Sequence, residues 1–166
     1  MNNFKKLNAR KKYIYTQMGN NISLTLYQPD IPQNVGAAMR LCACLGIRLN
    51  LIEPFGFAWK EKEFRRAGMD YIDLVDYKKF ISWDEFQGKH QGRIILMTTK
   101  GSISYTEFEF KNGDTLLAGR ESAGVPDNVH QAAQGRVLIP MHGQARSMNV
   151  INASSMIMGE ALRQVI

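Results

Sequence analysis

The sequence predicts an α/β domain built on a parallel sheet with helices on both faces. Three observations predict it. Short β-rich apolar runs alternate with helical stretches from about residue 22 onward. The loops that follow those runs gather glycine and polar residues, as loops at one end of such a sheet do. Usage is that of an ordinary globular domain, 45% hydrophobic and 22% charged. At 166 residues the chain fits one domain that buries most of its apolar surface without staples.

The elements follow in order. Residues 23–27 (SLTLY) form a first strand, and a helical pattern runs on to Leu45. Residues 48–52 (RLNLI) are the second strand, residues 61–68 a short helix and residues 72–76 a third strand. Ser82 followed three residues later by Glu85 is a capping box that opens a short helix. Residues 93–98 (RIILMT), 115–118 (TLLA) and 136–139 (RVLI) supply further strands, with a helix from Pro126 before the last. A final helix begins near Asn149 and runs towards Arg163, apolar almost all round, which predicts burial inside the fold or against a second subunit. Neither a repeat nor a low-complexity tract interrupts this order.

Charge and cysteines narrow the function less than they first suggest. The formal charge is +6, but residues 1–20 carry Lys5, Lys6, Arg10, Lys11 and Lys12 with no acid, leaving 16 basic against 15 acidic residues beyond them. That basic segment reads equally as a nucleic-acid-binding arm, a disordered leader, or sequence ahead of a start at Met18. Two cysteines exclude a disulfide scaffold, and Cys42 and Cys44 read as small buried apolar residues in a reducing cytoplasm. Apolar runs are too short to span a bilayer, and the N-terminus lacks a secretory signal pattern, so a cytoplasmic protein is expected.

The unusual residues cluster in four loops: residues 30–36 (DIPQNVG), 98–101 (TTKG), 119–126 (GRESAGVP) and 141–149 (MHGQARSMN). Taken singly, each is bland. Pro32 and Asn34 serve equally as a helix stop-and-cap arrangement. Arg40 reads as a surface arginine, and Gly119-x-Glu121-x-x-Gly124 as a tight turn. His90, His130 and His142 lack metal-ligand spacing, so no metal is expected. Without a G-x-S-x-G elbow, a P-loop or a G-x-G-x-x-G turn after the first strand, the hydrolase, NTPase and dinucleotide-binding readings lose their support.

Taken in order, the loops resemble the three motifs of the SpoU branch of the SPOUT methyltransferases. PQNVGAAMR at 32–40 looks like motif 1, LAGRESAGVP at 117–126 like motif 2, and IPM at 139–141 followed by SMN at 147–149 and Ala153 like motif 3. The resemblance covers roughly residues 22–165. A narrower likeness, carried by IEPFGFAW at 52–59, RRAGMDY at 65–71 and TTKG at 98–101, is to the small bacterial tRNA 2′-O-methyltransferases that act on the wobble pyrimidine of the anticodon loop. The chain departs from that pattern at Gly159, where a Tyr usually precedes the glutamate, and at VINA, residues 150–153.

The resemblance implies a deep trefoil knot near the C-terminus, an S-adenosylmethionine site within it, a homodimer, and the tRNA anticodon loop as partner, with residues 21–166 forming the single domain. It also implies that Met97, Gly119, Ile139 and Ser147 line the cofactor site, that Glu121, Gly124 and Asn149 support its loops, and that Arg40, oriented by Asn34, reaches the reacting centre from the partner subunit. Methyl transfer from a sulfonium to a ribose hydroxyl is an in-line displacement that requires alignment and no metal. Neutralising a guanidine at pH 7 costs roughly 8 kcal/mol, so a charged arginine that grips phosphate is preferred here to a general base. Lys100, Arg65, Arg66 and Arg146 are the expected phosphate contacts, although Arg65 and Arg66 sit in a mixed-sign patch that also suits a solvated face. Two alternatives stay open: a SpoU enzyme acting on ribosomal RNA or another tRNA position, and a non-catalytic RNA-binding protein that keeps the fold.

Overall fold

The computed structural model describes residues 22–60, 70–101 and 103–165. The basic segment 1–20, the helix expected over 61–68, and Arg65 and Arg66 lie outside the described residues. Seven strands form one sheet in which every pairing is parallel: β1 (Ser23–Tyr27), β2 (Arg48–Ile52), β3 (Tyr77–Phe80), β4 (Ile94–Met97), β5 (Ile103–Ser104), β6 (Thr115–Ala118) and β7 (Gly135–Leu138). Their spatial order is β3-β2-β1-β6-β4-β7-β5. The chain first builds outward from β1 to β3, then crosses to the other side and inserts β6 between β1 and β4. That reversal places a switch point in the middle of the sheet, where ligands of parallel sheets bind at the carboxyl ends.

All five residues of β1 and all four of β6 are buried, as expected of central strands covered on both faces. One apolar cluster joins β1, β2 and β6 to α1 (Pro32–Leu45) and α4 (Val150–Val165). The other joins Tyr27, Ile52, Leu96 and Leu117 to α2 (Trp83–Lys89) and α3 (Asp127–Ala132). Between the strands a buried chain of hydroxyls is fully paired: Thr115 Oγ1 lies 2.8 Å from both Ser23 Oγ and Thr25 Oγ1, and Asn50 Nδ2 donates to Thr25 Oγ1.

Helix α1 starts on Pro32, whose missing N–H costs nothing in the first turn, and stops at Gly46, whose φ of +65° is the left-handed conformation glycine adopts freely. Its buried face is Val35, Ala38, Met39 and Cys42, the spacing of one helical stripe. Burial pushes the Cys42 thiol up to about 12, so it is an inert packing group. Cys44, expected to be buried, is exposed: two residues along the helix turn it away from that stripe.

Residues 72–76 do not form the expected strand. A 3-10 turn over Asp70–Asp73 replaces it, followed by the edge strand β3. The reason lies in spacing: Ile72 and Val75 are buried while Asp73 and Leu74 face out, so the apolar residues repeat at three rather than at two. The capping box before α2 forms, with Ser82 Oγ accepting from the Glu85 N–H at 3.1 Å, while the Glu85 carboxylate reaches one residue further back to the N–H of Ile81. Helix α4 keeps an exposed stripe of Asn152, Ser155, Met156, Gly159 and Arg163, so it is not apolar all round. A Cβ added at Gly159 would meet no atom within 4 Å. Among the described residues no helix is long and apolar enough to cross a membrane.

His90 closes α2. Its ring stacks on Phe86 with centroids 5.0 Å apart, and its Nε2 is buried without a hydrogen-bond partner among the described residues. Burial pushes its pKa down, against a smaller opposing effect of the Arg93 backbone. The folded state therefore binds fewer protons than the unfolded one just below the ordinary histidine value. The stability His90 contributes is complete above about pH 6.5 and is lost as pH falls through the depressed folded value. Thermal melts between pH 7.5 and 5 are expected to show Tm falling, with His90→Phe flattening that part of the profile; an identical profile in the variant would refute the assignment.

Candidate active site

The four polar loops converge. The residue before α1, the ends of β4, β6 and β7, and the first turns of α4 together line a cavity of about 470 Å³. Its lining combines apolar Leu96, Val137, Leu138, Ile139 and Ile157 with polar Asn34, Thr98, Glu121, Ser147 and Asn149.

Three side chains tie the loops together. Glu121 accepts through Oε1 from Asn34 Nδ2 at 2.6 Å and through Oε2 from the Asp30 backbone N–H at 2.9 Å. The other end of Asn34, its Oδ1, accepts from Asn149 Nδ2 at 3.2 Å. Asn149 in turn accepts from the N–H groups of Ile151 and Asn152, which makes it the cap of α4. Asn34 is therefore not a cap of its own helix: the N-cap position is Ile31, which offers no side-chain bond, and the Asn34 amide is spent on Glu121 and Asn149 instead.

A second set of bonds closes the same loop pair. Asp30 Oδ1 accepts from Arg120 Nε at 3.1 Å and from an Arg120 Nη at 2.6 Å, while its Oδ2 takes Ser122 Oγ at 2.5 Å and the Ser122 N–H at 3.2 Å. These bonds, Arg120 first and Ser122 second, hold the Asp30 carboxyl down at about 2. Burial pushes the neighbouring Tyr27 phenol up, opposed by the Arg120 guanidinium. The loop itself turns on a pair of glycines: Arg120 and Gly124 exchange backbone hydrogen bonds of 2.9 Å each way, and Gly124 takes φ +69°. A Cβ on Gly119 would lie 2.6 Å from the Gly124 carbonyl carbon, so glycine at 119 is required by its own loop.

Eight of the expected site residues thus share one cavity: Met97, Gly119, Ile139, Ser147, Glu121, Gly124, Asn149 and Asn34. Three do not. Arg40 is exposed on α1, its guanidinium 4.9 Å from the Tyr71 ring centroid, and it does not line the cavity of its own chain. Lys100 is exposed on the turn after β4, its N–H bonded to Thr98 Oγ1, and Arg146 is exposed in the loop before α4. Sequence reasoning missed Asp30 and Arg120. An Asp ahead of a proline-led helix reads as an ordinary loop residue, and the ion-pair partner lies ninety positions away.

The sequence pattern of the SpoU rRNA Methylase family matches residues 21–159, a span that contains every strand and loop of this site. The chain belongs to the SpoU methylase family. It is 52% identical to the tRNA (cytidine(34)-2'-O)-methyltransferase of Beijerinckia indica over 145 residues, covering 86% of this chain and 91% of that one. The enzyme of the same name from Escherichia coli K12 is 39% identical over 152 residues, covering 87% and 94%. A solved structure described as giving structural insights into the 2-OH methylation of C/U34 on tRNA has a TM-score of 0.81 at 38% identity, covering 89% of this chain and 97% of that one. The SpoU methyltransferase AviRb from Streptomyces viridochromogenes, in complex with AdoMet, has a TM-score of 0.75 at 24% identity, a likeness of fold. The SpoU motifs read from the loops are the segments that build the cavity.

Proposed function

We propose that this SpoU-family protein is a tRNA (cytidine/uridine-2′-O)-methyltransferase that methylates the wobble pyrimidine of the anticodon loop, with S-adenosylmethionine as donor. The observation that carries the reading is the coincidence of two facts. Relatives that share this chain almost end to end are named for that activity, and the shared motifs here enclose a cavity of the right size and lining. Small-ligand sites of a few hundred cubic ångströms pair a mostly apolar lining with a few placed polar groups. Met97, Gly119, Ile139 and Ser147 would hold the donor, and the Glu121–Asn34–Asn149 bonds would keep its walls in register.

When bound, the donor supplies an activated methyl group whose transfer to the ribose 2′-oxygen leaves a neutral thioether. The protein's part is to align the acceptor oxygen and exclude competing water. Arg40, exposed and outside its own cavity, is assigned to a partner's site in a homodimer, where a charged guanidinium grips the phosphate beside the acceptor ribose. The segment after β7 is assigned to a deep trefoil knot; the insertion of β6 between β1 and β4, and the way α4 leaves the cavity to pack against α1 and β6, support it.

The test is to incubate the purified protein with methyl-labelled donor and total RNA from cells lacking the gene, and to map the label. Methylation at position 34 is expected; label on ribosomal RNA or at another tRNA position would overturn the substrate assignment. Lys100→Ala is expected to weaken tRNA binding across sequences and to lower the slope of log K against log salt by about one. An unchanged slope would remove Lys100 from the phosphate contacts.

A further inference from the structure

Among the described residues that line the cavity, only Arg120 and Glu121 carry formal charge, and they are not equivalent. Arg120 is neutralised on the spot: its Nε and an Nη both bond the same oxygen of Asp30, whose other oxygen is filled by Ser122. Glu121 forms no ion pair among the described residues, although the Arg120 guanidinium, already bonded to Asp30, interacts with it at longer range. The two Glu121 oxygens accept from an amide side chain and a backbone N–H, both neutral donors. Within one chain the group Asp30, Arg120 and Glu121 therefore sums to one net negative charge at the wall of the cavity, beside apolar lining residues such as Val137 and Ile139.

We propose that Glu121 is a specificity-determining residue that biases the cavity towards the cationic sulfonium donor over its neutral thioether product. The inference rests on the donor reading given above. At neutral pH S-adenosylmethionine carries a sulfonium, an ammonium and a carboxylate, a net +1, whereas S-adenosylhomocysteine is neutral overall. In the transfer the sulfur–methyl bond breaks with its electron pair left on sulfur, a carbon–oxygen bond forms to the ribose 2′-oxygen, and the hydroxyl proton passes to solvent. The attraction that Glu121 offers the donor thus vanishes as the product forms, which favours exchange of spent for fresh donor. Both ligands share the adenosine and the amino-acid arm, so the ratio of their affinities isolates the charge from the packing.

The experiment is calorimetry at pH 7.5 without RNA, measuring S-adenosylmethionine and S-adenosylhomocysteine on the wild-type protein, Glu121→Gln and Arg120→Met. Glutamine preserves the acceptor for Asn34 but turns an N–H towards that of Asp30, and that defect weakens both ligands alike. The ratio Kd(product)/Kd(donor) is expected to fall about five-fold in Glu121→Gln, the size of one charge felt across a partly hydrated cavity. It is expected to rise by a similar factor in Arg120→Met, which leaves the Asp30 charge unopposed. Equal weakening of both ligands in Glu121→Gln would reduce Glu121 to a loop brace and overturn the proposal, as would a ratio that fails to rise in Arg120→Met if Glu121→Gln does not fold. Failure of the wild-type protein to bind either ligand would instead sink the donor reading, and this inference with it.

Discussion

Arg40→Ala is expected to lower kcat for wobble methylation by roughly two to three orders of magnitude while leaving S-adenosylhomocysteine affinity within about two-fold, the signature of a contact made to developing charge rather than to the bound donor. The geometry gives the reason for the split. Arg40 lies on the exposed face of α1 and rests on Tyr71, and no atom of it lines the cavity of its own chain. Removing it cannot disturb the walls that hold the donor. If it serves the partner's site, subunit mixing provides a sharp measurement. Equal amounts of Arg40→Ala and a variant whose cavity cannot bind donor, co-refolded, contain mixed dimers in which one site unites an intact cavity with an intact partner arginine. About a quarter of wild-type activity should return, since half the dimers are mixed and half their sites complete. No recovery would mean that Arg40 acts within its own subunit or not at all. Arg40→Lys keeps the charge but not the planar fork, so near-normal turnover in that variant would argue against a forked phosphate contact.

The parts of this fold that the sequence made legible are those whose burial is symmetric. SLTLY, RLNLI and TLLA stand out because a central strand covered on both faces must be apolar nearly throughout. The edges were hidden for the complementary reason. In Tyr77–Phe80 two exposed lysines occupy the middle of the strand, which protects an edge from further pairing and removes the apolar signal. Ile103–Ser104 is two residues long, too short for any periodicity. At the site, residue types and order pointed to the right loops, but the bonds that join them did not show. Asn34 looked like a cap because its partner Glu121 is 87 positions away, and only the parallel register of β1 with β6 brings the two loops side by side. Long-range polar pairing of that kind has no local pattern to read.

Gly119→Ala should be the most damaging single methyl group added to the cavity wall. The new Cβ would sit 2.6 Å from the Gly124 carbonyl carbon and 2.8 Å from its Cα, and backbone on the far side of a two-bond antiparallel bridge cannot swing aside as a flexible side chain would. The loop must open, separating Arg120 from Gly124 and dragging Glu121 off Asn34, so one packing fault spreads into the bonds that align both motifs. Overpacking of this kind costs about 1–3 kcal/mol, which for a domain of this size is a Tm lower by roughly 2–12 °C. Donor affinity should fall by more than ten-fold, because the displaced residues are the cavity wall. Gly124→Ala separates crowding from conformation. It meets no atom within 4 Å but must hold φ +69°, a conformation that costs an alanine about 1–2 kcal/mol and leaves Gly119 uncrowded. Its donor affinity is therefore expected to lie between wild type and Gly119→Ala. Calorimetry with S-adenosylmethionine ranks the three proteins, and wild-type affinity in Gly119→Ala would show that the loop closes by some arrangement other than this bridge.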